Sequence, residues 1–293
     1  MAFDERSQPP LVQARSLKRS ALLSLAVKDD ACLQIVYGEG GGCILEVAGG
    51  AAGVWIPLRD SLEIQSAGSS QPIHAGEALV TEHLNHIKAV GHANGRWLAM
   101  LGGKRAWERV LAGTQATGMQ LYPNLHGADR ELRRAAIAVA RVDSAFESEG
   151  AVRALADKIA GLQAPLRHAI ARCPGRTLAR RRQVFLRLQR VRNFICSYCD
   201  QELDNNVLAH MANYSPCHFL RVFNQVFLET PHACLVNERL HRARLLLHSS
   251  DLAITEVALA SGFENRSAFS RLFHQRFGAT ANEMRRRLKV LRT

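Results

Sequence analysis

Several things are missing from this chain, and each absence narrows its function. Nowhere in its 293 residues is there a run of about 18 apolar residues, so no transmembrane helix and no membrane partner are expected. The first 20 residues carry Asp4, Glu5, Pro9 and Pro10 and lack the uninterrupted apolar core of a signal peptide, which points to the cytoplasm. The seven cysteines are an odd number at no regular spacing, a pattern that suits reduced thiols better than a disulfide framework. A P-loop, a dinucleotide fingerprint and a nucleophile elbow are all absent. Nothing argues for catalysis, and no catalytic residue, cofactor or metal is expected.

What is present divides the chain in two. The length suggests about two domains, and the 47% of hydrophobic residues can fill packed cores. The charge is lopsided. Residues 173–293 hold 19 Lys/Arg against 9 Asp/Glu, whereas residues 1–172 hold 19 against 17. Positive charge gathered on one domain is the electrostatic footprint of a polyanion partner; the competing reading is a merely solvated basic surface.

The basic half is organised around residues 265–277. Asn265 is a good N-cap, and Phe269, Leu272, Phe273 and Phe277 recur at helical spacing. The opposite face of that helix carries Arg266, Ser267, Ser270, Arg271 and His274, short polar groups and guanidinium suited to a DNA major groove. A short apolar-patterned helix starting at Ile254 and closed by Gly262 precedes it. Helix, tight turn and amphipathic basic helix make a helix-turn-helix with the second helix as reader.

The same layout occurs 50 residues earlier. Ser215 matches Asn265, Phe219 matches Phe269, Arg221 matches Arg271, Phe223 matches Phe273, Phe227 matches Phe277 and Thr230 matches Thr280. This copy has its own first helix over 207–212 and a turn at Asn213, a residue type that tolerates left-handed backbone. Between the two copies, Thr230 as N-cap and Pro231 at the first helical position begin a joining helix.

These residues resemble the signature of the AraC/XylS family of bacterial transcription regulators. The second motif carries it in Ile254, Val257, Ala258, Ser261, Gly262, Phe263, Ser267, Phe269, Ser270, Arg271, Phe273, Phe277, Gly278 and Thr280. The first carries it in Ala209, Ser215, Arg221, Phe223, Thr230 and Pro231, and the linker helix in Arg239, Leu240, Ala243, Leu246 and Leu247. The match covers roughly the last 110 residues and is specific because both motifs and the spacer fit. It departs from the family at the Gly-x-Thr-Pro that ends each motif: Leu228 stands in place of the first glycine and Ala281 in place of the second proline. Cys234 and Met284 stand where an aromatic is usual.

The resemblance implies a sequence-specific DNA-binding transcription regulator, an activator, with double-stranded promoter DNA and RNA polymerase as partners. It also implies a homodimer and an N-terminal domain that senses a small-molecule effector. Expected base contacts are Arg266, Ser267, Ser270 and Arg271 on the second recognition helix, and Cys217, Leu220, Arg221 and Asn224 on the first. With only Arg221 and Asn224 as strong polar readers in the first motif, that motif positions while the second specifies, in one reading. Arg176, Arg180, Arg181, Arg182, Arg285, Arg286 and Arg287 are the expected phosphate contacts, which position without reading sequence. Arg176, Arg180, Arg181 and Arg182, with Arg187, Arg190 and Arg192, surround Val184, Phe185, Leu188, Val191 and Ile195, which are spaced as the core face of a helix.

The expected fold class is α+β: a small N-terminal β-sandwich or barrel (cupin-like) with helices, then an all-α domain with two tandem helix-turn-helix motifs. The expected parts are an arm over 1–20, a β-rich regulatory domain over 21–172 ending in dimerisation helices, and a DNA-binding domain over 173–293. Residues 21–125 hold 15 of the 21 glycines and short apolar runs at 22–27, 33–37, 43–47, 53–57, 78–81 and 97–101, as many short strands would. The cupin-like expectation comes from position in the family pattern. Beyond 128, Leu132, Ala136, Val139 and Phe146 line a helix, Gly150 interrupts, and Val152, Leu155, Ile159 and Leu162 line a second; Pro165 begins a new turn. That last set is heptad-like and fits either an intersubunit seam or packing on the β-domain. Trp55, Arg59, His74 and Trp97 are candidate effector-pocket residues, with a structural role as the alternative.

Two sharper readings compete with blander ones. Cys196 and Cys199 form a Cys-x-x-Cys without a second pair at zinc spacing, so ordinary buried or exposed thiols are the simpler account. His74, His83, His86 and His92 lack the His-x-His followed by Glu of a cupin metal site, so solvated loop histidines are simpler there. Two rival functions remain: a ligand-independent DNA-binding regulator controlled by abundance or a protein partner, and a cupin-type enzyme fused to a DNA module. A packed β-core favours the first of these over effector sensing.

Overall fold

The computed structural model describes residues 10–27, 31–49, 52–66, 69–82, 86–112, 121–141 and 145–290. Two compact units divide the chain, Met1–Arg167 and His168–Thr293. No helix among the described residues is long and apolar enough to cross a membrane.

The first unit holds eleven described strands: β1 (Val12–Leu17), β2 (Leu22–Ala26), β3 (Leu33–Glu39), β4 (Ile44–Ala48), β5 (Ala52–Arg59), β6 (Ser61–Ser66), β7 (Ser69–His74), β8 (Glu77–Thr81), β9 (His86–Gly91), β10 (Arg96–Gly102) and β11 (Asn124–Gly127). Its helices are α1 (Lys104–Leu111), α2 (Arg130–Arg141) and α3 (Ala145–Arg172), the last of which contains the division between units. The strands make two sheets, ordered β1-β3-β10-β5-β8-β11 and β2-β4-β9-β6-β7. Pairing is antiparallel except where β1 lies parallel to β3 and β2 parallel to β4. This is the β-sandwich expected, with helices added.

Strand alternation builds two cores from one sheet. Along β10, Trp97, Ala99 and Leu101 join a cluster with Leu25, Leu45, Leu62, Ile73 and Ile87 of the second sheet. The intervening Leu98 and Met100 join a cluster with Trp107 of α1, Leu132 and Ala136 of α2, and Val152, Leu155 and Ile159 of α3. A strand buried on both faces reads as a continuous apolar run, which is why β5 and β10 stand out in the sequence.

Three expectations change here. Val12–Leu17, inside the stretch read as an arm, forms β1 against β3, while residues 1–9 lie outside the described set. Gly150 does not interrupt a helix and Pro165 does not begin one, because α3 runs through both and contains Phe146; the Phe146 side chain lies outside the description. An interior glycine costs about 1 kcal/mol against alanine and an interior proline about 3 kcal/mol. Both residues are solvent-exposed, as is Gly161 four residues before the proline, so water can satisfy the carbonyl that Pro165 leaves unbonded. The third change concerns the proposed seam. Val152, Leu155 and Ile159 are buried in their own unit, and the half-buried Leu162 packs on the same cluster. Their apolar surface is used within the chain, so packing on the β-domain is the reading that holds for this stripe.

The second unit adds α4 (Leu178–Ser197), α5 (Asn205–Met211), α6 (Pro216–Phe227), α7 (Pro231–Ser249), α8 (Ile254–Ala260), α9 (Arg266–Phe277) and α10 (Ala281–Val290). Thr177 caps α4 by accepting from Arg180 N. Val184, Phe185, Leu188, Val191 and Ile195 are buried, as their spacing requires.

Candidate nucleic-acid interface

Two helix pairs, α5–α6 and α8–α9, repeat one geometry. Phe219, Phe223 and Phe227 stack with ring centroids 5.5 and 4.7 Å apart, and Phe269, Phe273 and Phe277 with 5.4 and 4.6 Å. These rings turn one face of α6 and of α9 into the core. Each turn uses a left-handed residue, Asn213 at φ 54° and Gly262 at φ 85°. After each turn a backbone N–H closes on the preceding helix, Tyr214 N to Ala209 O and Phe263 N to Ala258 O, both at 3.0 Å. Those pairs are 49 residues apart, whereas α6 and α9 are 50 apart. The second turn therefore contains one extra residue.

The opposite faces of α6 and α9 are solvent-facing, at matched positions for Cys217 and Ser267, Leu220 and Ser270, and Arg221 and Arg271. Cys217, Leu220, Arg221 and Asn224 are exposed on α6, and Arg266, Ser267, Ser270 and Arg271 on α9. All eight expected base-contact side chains are thus brought to the two outer faces. Asn265 Oδ1 caps α9 from Ala268 N at 3.0 Å, and Pro216 occupies the first turn of α6. The N-terminal turns of both helices carry no acidic residue, which leaves their dipoles free to face an anion.

His274, read from the sequence as part of this face but not among the expected base contacts, is exposed at the α9 position equivalent to Asn224. One residue, His218, was missed by the sequence reading. His218 Nδ1 lies 3.0 Å from Arg221 Nη2, and its ring packs edge-on against Tyr214 at 4.7 Å. Arg187 lies over the other partner, 5.9 Å from the Tyr214 centroid. This stack orients Arg221 on the outer face, and only three-dimensional packing reveals it.

The expected phosphate contacts fall into two groups. Arg176, Arg180, Arg286 and Arg287 are exposed. Arg181, Arg182 and Arg285 are half-buried; Arg181 Nε donates to Gly175 O at 2.9 Å. Nε of Arg182 and both Nε and Nη2 of Arg285 are buried without a hydrogen-bond partner among the described residues.

The two motifs are joined through α7. Thr230 Oγ1 accepts from Ala233 N at 3.1 Å as its N-cap, with Pro231 at the first helical position. Arg239 Nε donates to Cys199 O at 2.7 Å and its Nη2 to Gln201 O at 2.9 Å. Arg242 Nε donates to Ala260 O at 3.1 Å, and its Nη2 lies 3.1 Å from Asp200 Oδ2.

The other singled-out residues sit apart from this surface. Trp55 and Trp97 are 0% exposed and lie in the core between the two sheets. Trp55 Nε1 donates to Thr81 Oγ1 at 3.0 Å and Trp97 Nε1 to Cys43 Sγ at 3.4 Å. Arg59 and His74 are exposed at the ends of β5 and β7, so the four candidate pocket residues do not line one buried site. His86 and His92 are exposed as well, and His83 lies outside the described residues. Burial pushes the thiols of Cys196 and Cys199 up and that of Cys234 on α7 up to about 12. Such thiols are poor nucleophiles.

Comparison with known proteins places this surface in context. A family model described as a helix-turn-helix domain matches residues 208–287. The chain is similar to the HTH-type transcriptional regulator GlxA of Rhizobium meliloti, 37% identical over 92 residues, covering 30% of this chain and 27% of that protein. It therefore spans about a quarter of the GlxA length. It is also similar to the regulatory protein SoxS of Escherichia coli K12, 30% identical over 95 residues, covering 32% of this chain and 89% of SoxS. Among solved structures, a transcriptional regulator with an AraC-type DNA-binding domain from Chromobacterium violaceum matches at 25% identity, 35% of this chain, 91% of that chain and a TM-score of 0.34.

Proposed function

The chain belongs to the AraC/XylS family of transcription regulators, and from that premise we propose that α6 and α9 enter successive major-groove segments on one face of promoter DNA. Arg266, Ser267, Ser270, Arg271, Cys217, Leu220, Arg221 and Asn224 would meet base edges. Arg can hold guanine bidentately, Asn can hold adenine, and Leu220 and Cys217 offer apolar contact to a thymine methyl. Arg176, Arg180, Arg286 and Arg287 would meet phosphates. The observation that carries this reading is the exposure of those eight side chains, six of them in register as Cys217/Ser267, Leu220/Ser270 and Arg221/Arg271, on two helices whose other faces are locked into the core by aromatic stacks.

The test is substitution of the two arginines that the repeat places in register. Arg221→Ala and Arg271→Ala are each expected to weaken binding to the selected operator by about 1–3 kcal/mol, roughly five- to more than a hundredfold, with little loss on scrambled duplex at the same salt. Equal losses on both duplexes, read by fluorescence anisotropy, would make them phosphate contacts instead.

The proposal extends to an activator acting on RNA polymerase as a homodimer, in keeping with the family resemblance. The dimer contact then lies elsewhere than on Val152, Leu155 and Ile159. For the N-terminal unit, effector sensing and ligand-independent control remain the competing readings. The second is favoured by Trp55 and Trp97, which fill the space between the sheets. A Cβ on Gly38 would lie 2.1 Å from the Trp97 ring, and one on Gly91 would lie 2.9 Å from its Nε1. An effector bound between the sheets would have to displace that indole.

A further inference from the structure

We propose that Arg239 and Arg242 of α7 are positioning residues that set the distance and helical phase between α6 and α9, and hence the spacing of the two DNA half-sites the protein accepts. The inference rests on the reading of α6 and α9 as DNA readers. Neither arginine lies on the outward face of either helix.

Arg239 reaches back to the segment between α4 and α5. Two of its nitrogens bind the carbonyls of Cys199 and Gln201, which lie just beyond Ser197, the last residue of α4. One turn further along α7, Arg242 reaches forward, binding the carbonyl of Ala260 at the end of α8 while pairing with Asp200. The two guanidinium groups therefore fasten the lead-in of the first motif and the first helix of the second motif to one rod. The turn of the second motif closes the same joint. A Cβ on Gly262 would stand 2.9 Å from Arg239 Nε, from Asp200 Cα and from Cys199 O, so that turn lies directly against the Cys199–Asp200 backbone. Three segments remote in sequence meet here, and both arginines supply planar donors with fixed geometry that lysine cannot reproduce.

A rigid joint matters because two linked readers gain affinity only when both can engage at once. One added base pair shifts a half-site by about 3.4 Å and about a tenth of a turn. A fixed joint rejects that displacement, whereas a loosened joint follows it.

The experiment begins with the full-length wild-type chain and a random-sequence duplex library. Selection is expected to return two half-sites at one spacing, and insertion or deletion of one base pair between them should weaken binding at least about tenfold. The Arg239→Lys/Arg242→Lys double variant should keep the base preferences of each half-site while the same one-base-pair change costs it less than about threefold. Thermal unfolding by circular dichroism establishes that the variant is folded; if it is not, Arg242→Lys alone and Asp200→Asn, which leave the Arg239 contacts in place, are judged by the same ratio. A folded variant that retains the full wild-type spacing penalty overturns the positioning role, even if its affinity has fallen. A wild-type selection that returns no two-part motif instead overturns the reading of both helices as base readers, and this inference with it.

Discussion

Leu228 and Gly278 occupy equivalent positions at the ends of α6 and α9, and both are left-handed, at φ 60° and 65°. Each N–H bonds the carbonyl four residues earlier, Asn224 and His274, at 2.8 Å. Glycine adopts this backbone freely, whereas a side chain with a Cβ costs roughly 1–2 kcal/mol there. Leu228 is also 71% exposed, so its side chain recovers little by burial. Leu228→Gly is therefore expected to stabilise the second unit by about 1 kcal/mol, less the entropy that glycine adds to the unfolded chain. Urea unfolding of the two proteins would check this, and an unchanged or lowered midpoint would mean that Leu228 makes a compensating contact.

At the scale of elements, the N-terminus of α10 offers a pH-dependent contribution. Thr280 Oγ1 accepts from Glu283 N at 3.2 Å, and Glu283 Oε2 accepts from Thr280 N at 2.8 Å, a reciprocal cap. The Thr280 backbone N–H holds the Glu283 carboxyl below its ordinary value of 4.5, with a hydrogen bond from the Thr280 side chain adding to the shift. Because the folded value is depressed, the stabilisation is fully present above 4.5 and is lost as pH falls through the lower folded value. Glu283→Gln should therefore melt at a lower temperature than wild type at neutral pH, and the gap should close well below 4.5. A gap independent of pH would mean that the charge of Glu283 is irrelevant to the cap.

The elements also differ in how much of them the sequence discloses. Recognition helices were legible because Phe219, Phe223 and Phe227 recur 50 residues later and must be buried. The offset of 49 in α5 and α8 was hidden by the longer second turn. Strands β3, β5, β8 and β10 announced themselves as apolar runs. In β6 and β9 buried and half-exposed residues alternate, and β1 is exposed at four successive positions, so none of these strands produces a run. Whether Trp55 and Trp97 line a pocket or fill a core depends on which sheet faces them, which composition cannot say. The Arg239–Arg242 joint was equally invisible, since its acceptors are backbone carbonyls.

At the scale of the molecule, charge sets the binding conditions. Residues 173–293 carry 19 Lys/Arg against 9 Asp/Glu, and phosphate neutralisation releases counterions, so log K falls with log salt by about 0.9 per contact. Arg176→Gln and Arg287→Gln should each reduce that slope by about one and weaken specific and random DNA alike. A loss confined to the specific duplex, measured by anisotropy across a salt series, would reassign them as base readers.

The central claim, that two linked helices read sequence, is tested most directly by pull-down of sheared host genomic DNA with the purified full-length protein at physiological salt. The account predicts sharp enrichment at a few promoters that share a two-part motif. Diffuse enrichment that merely follows salt would contradict it.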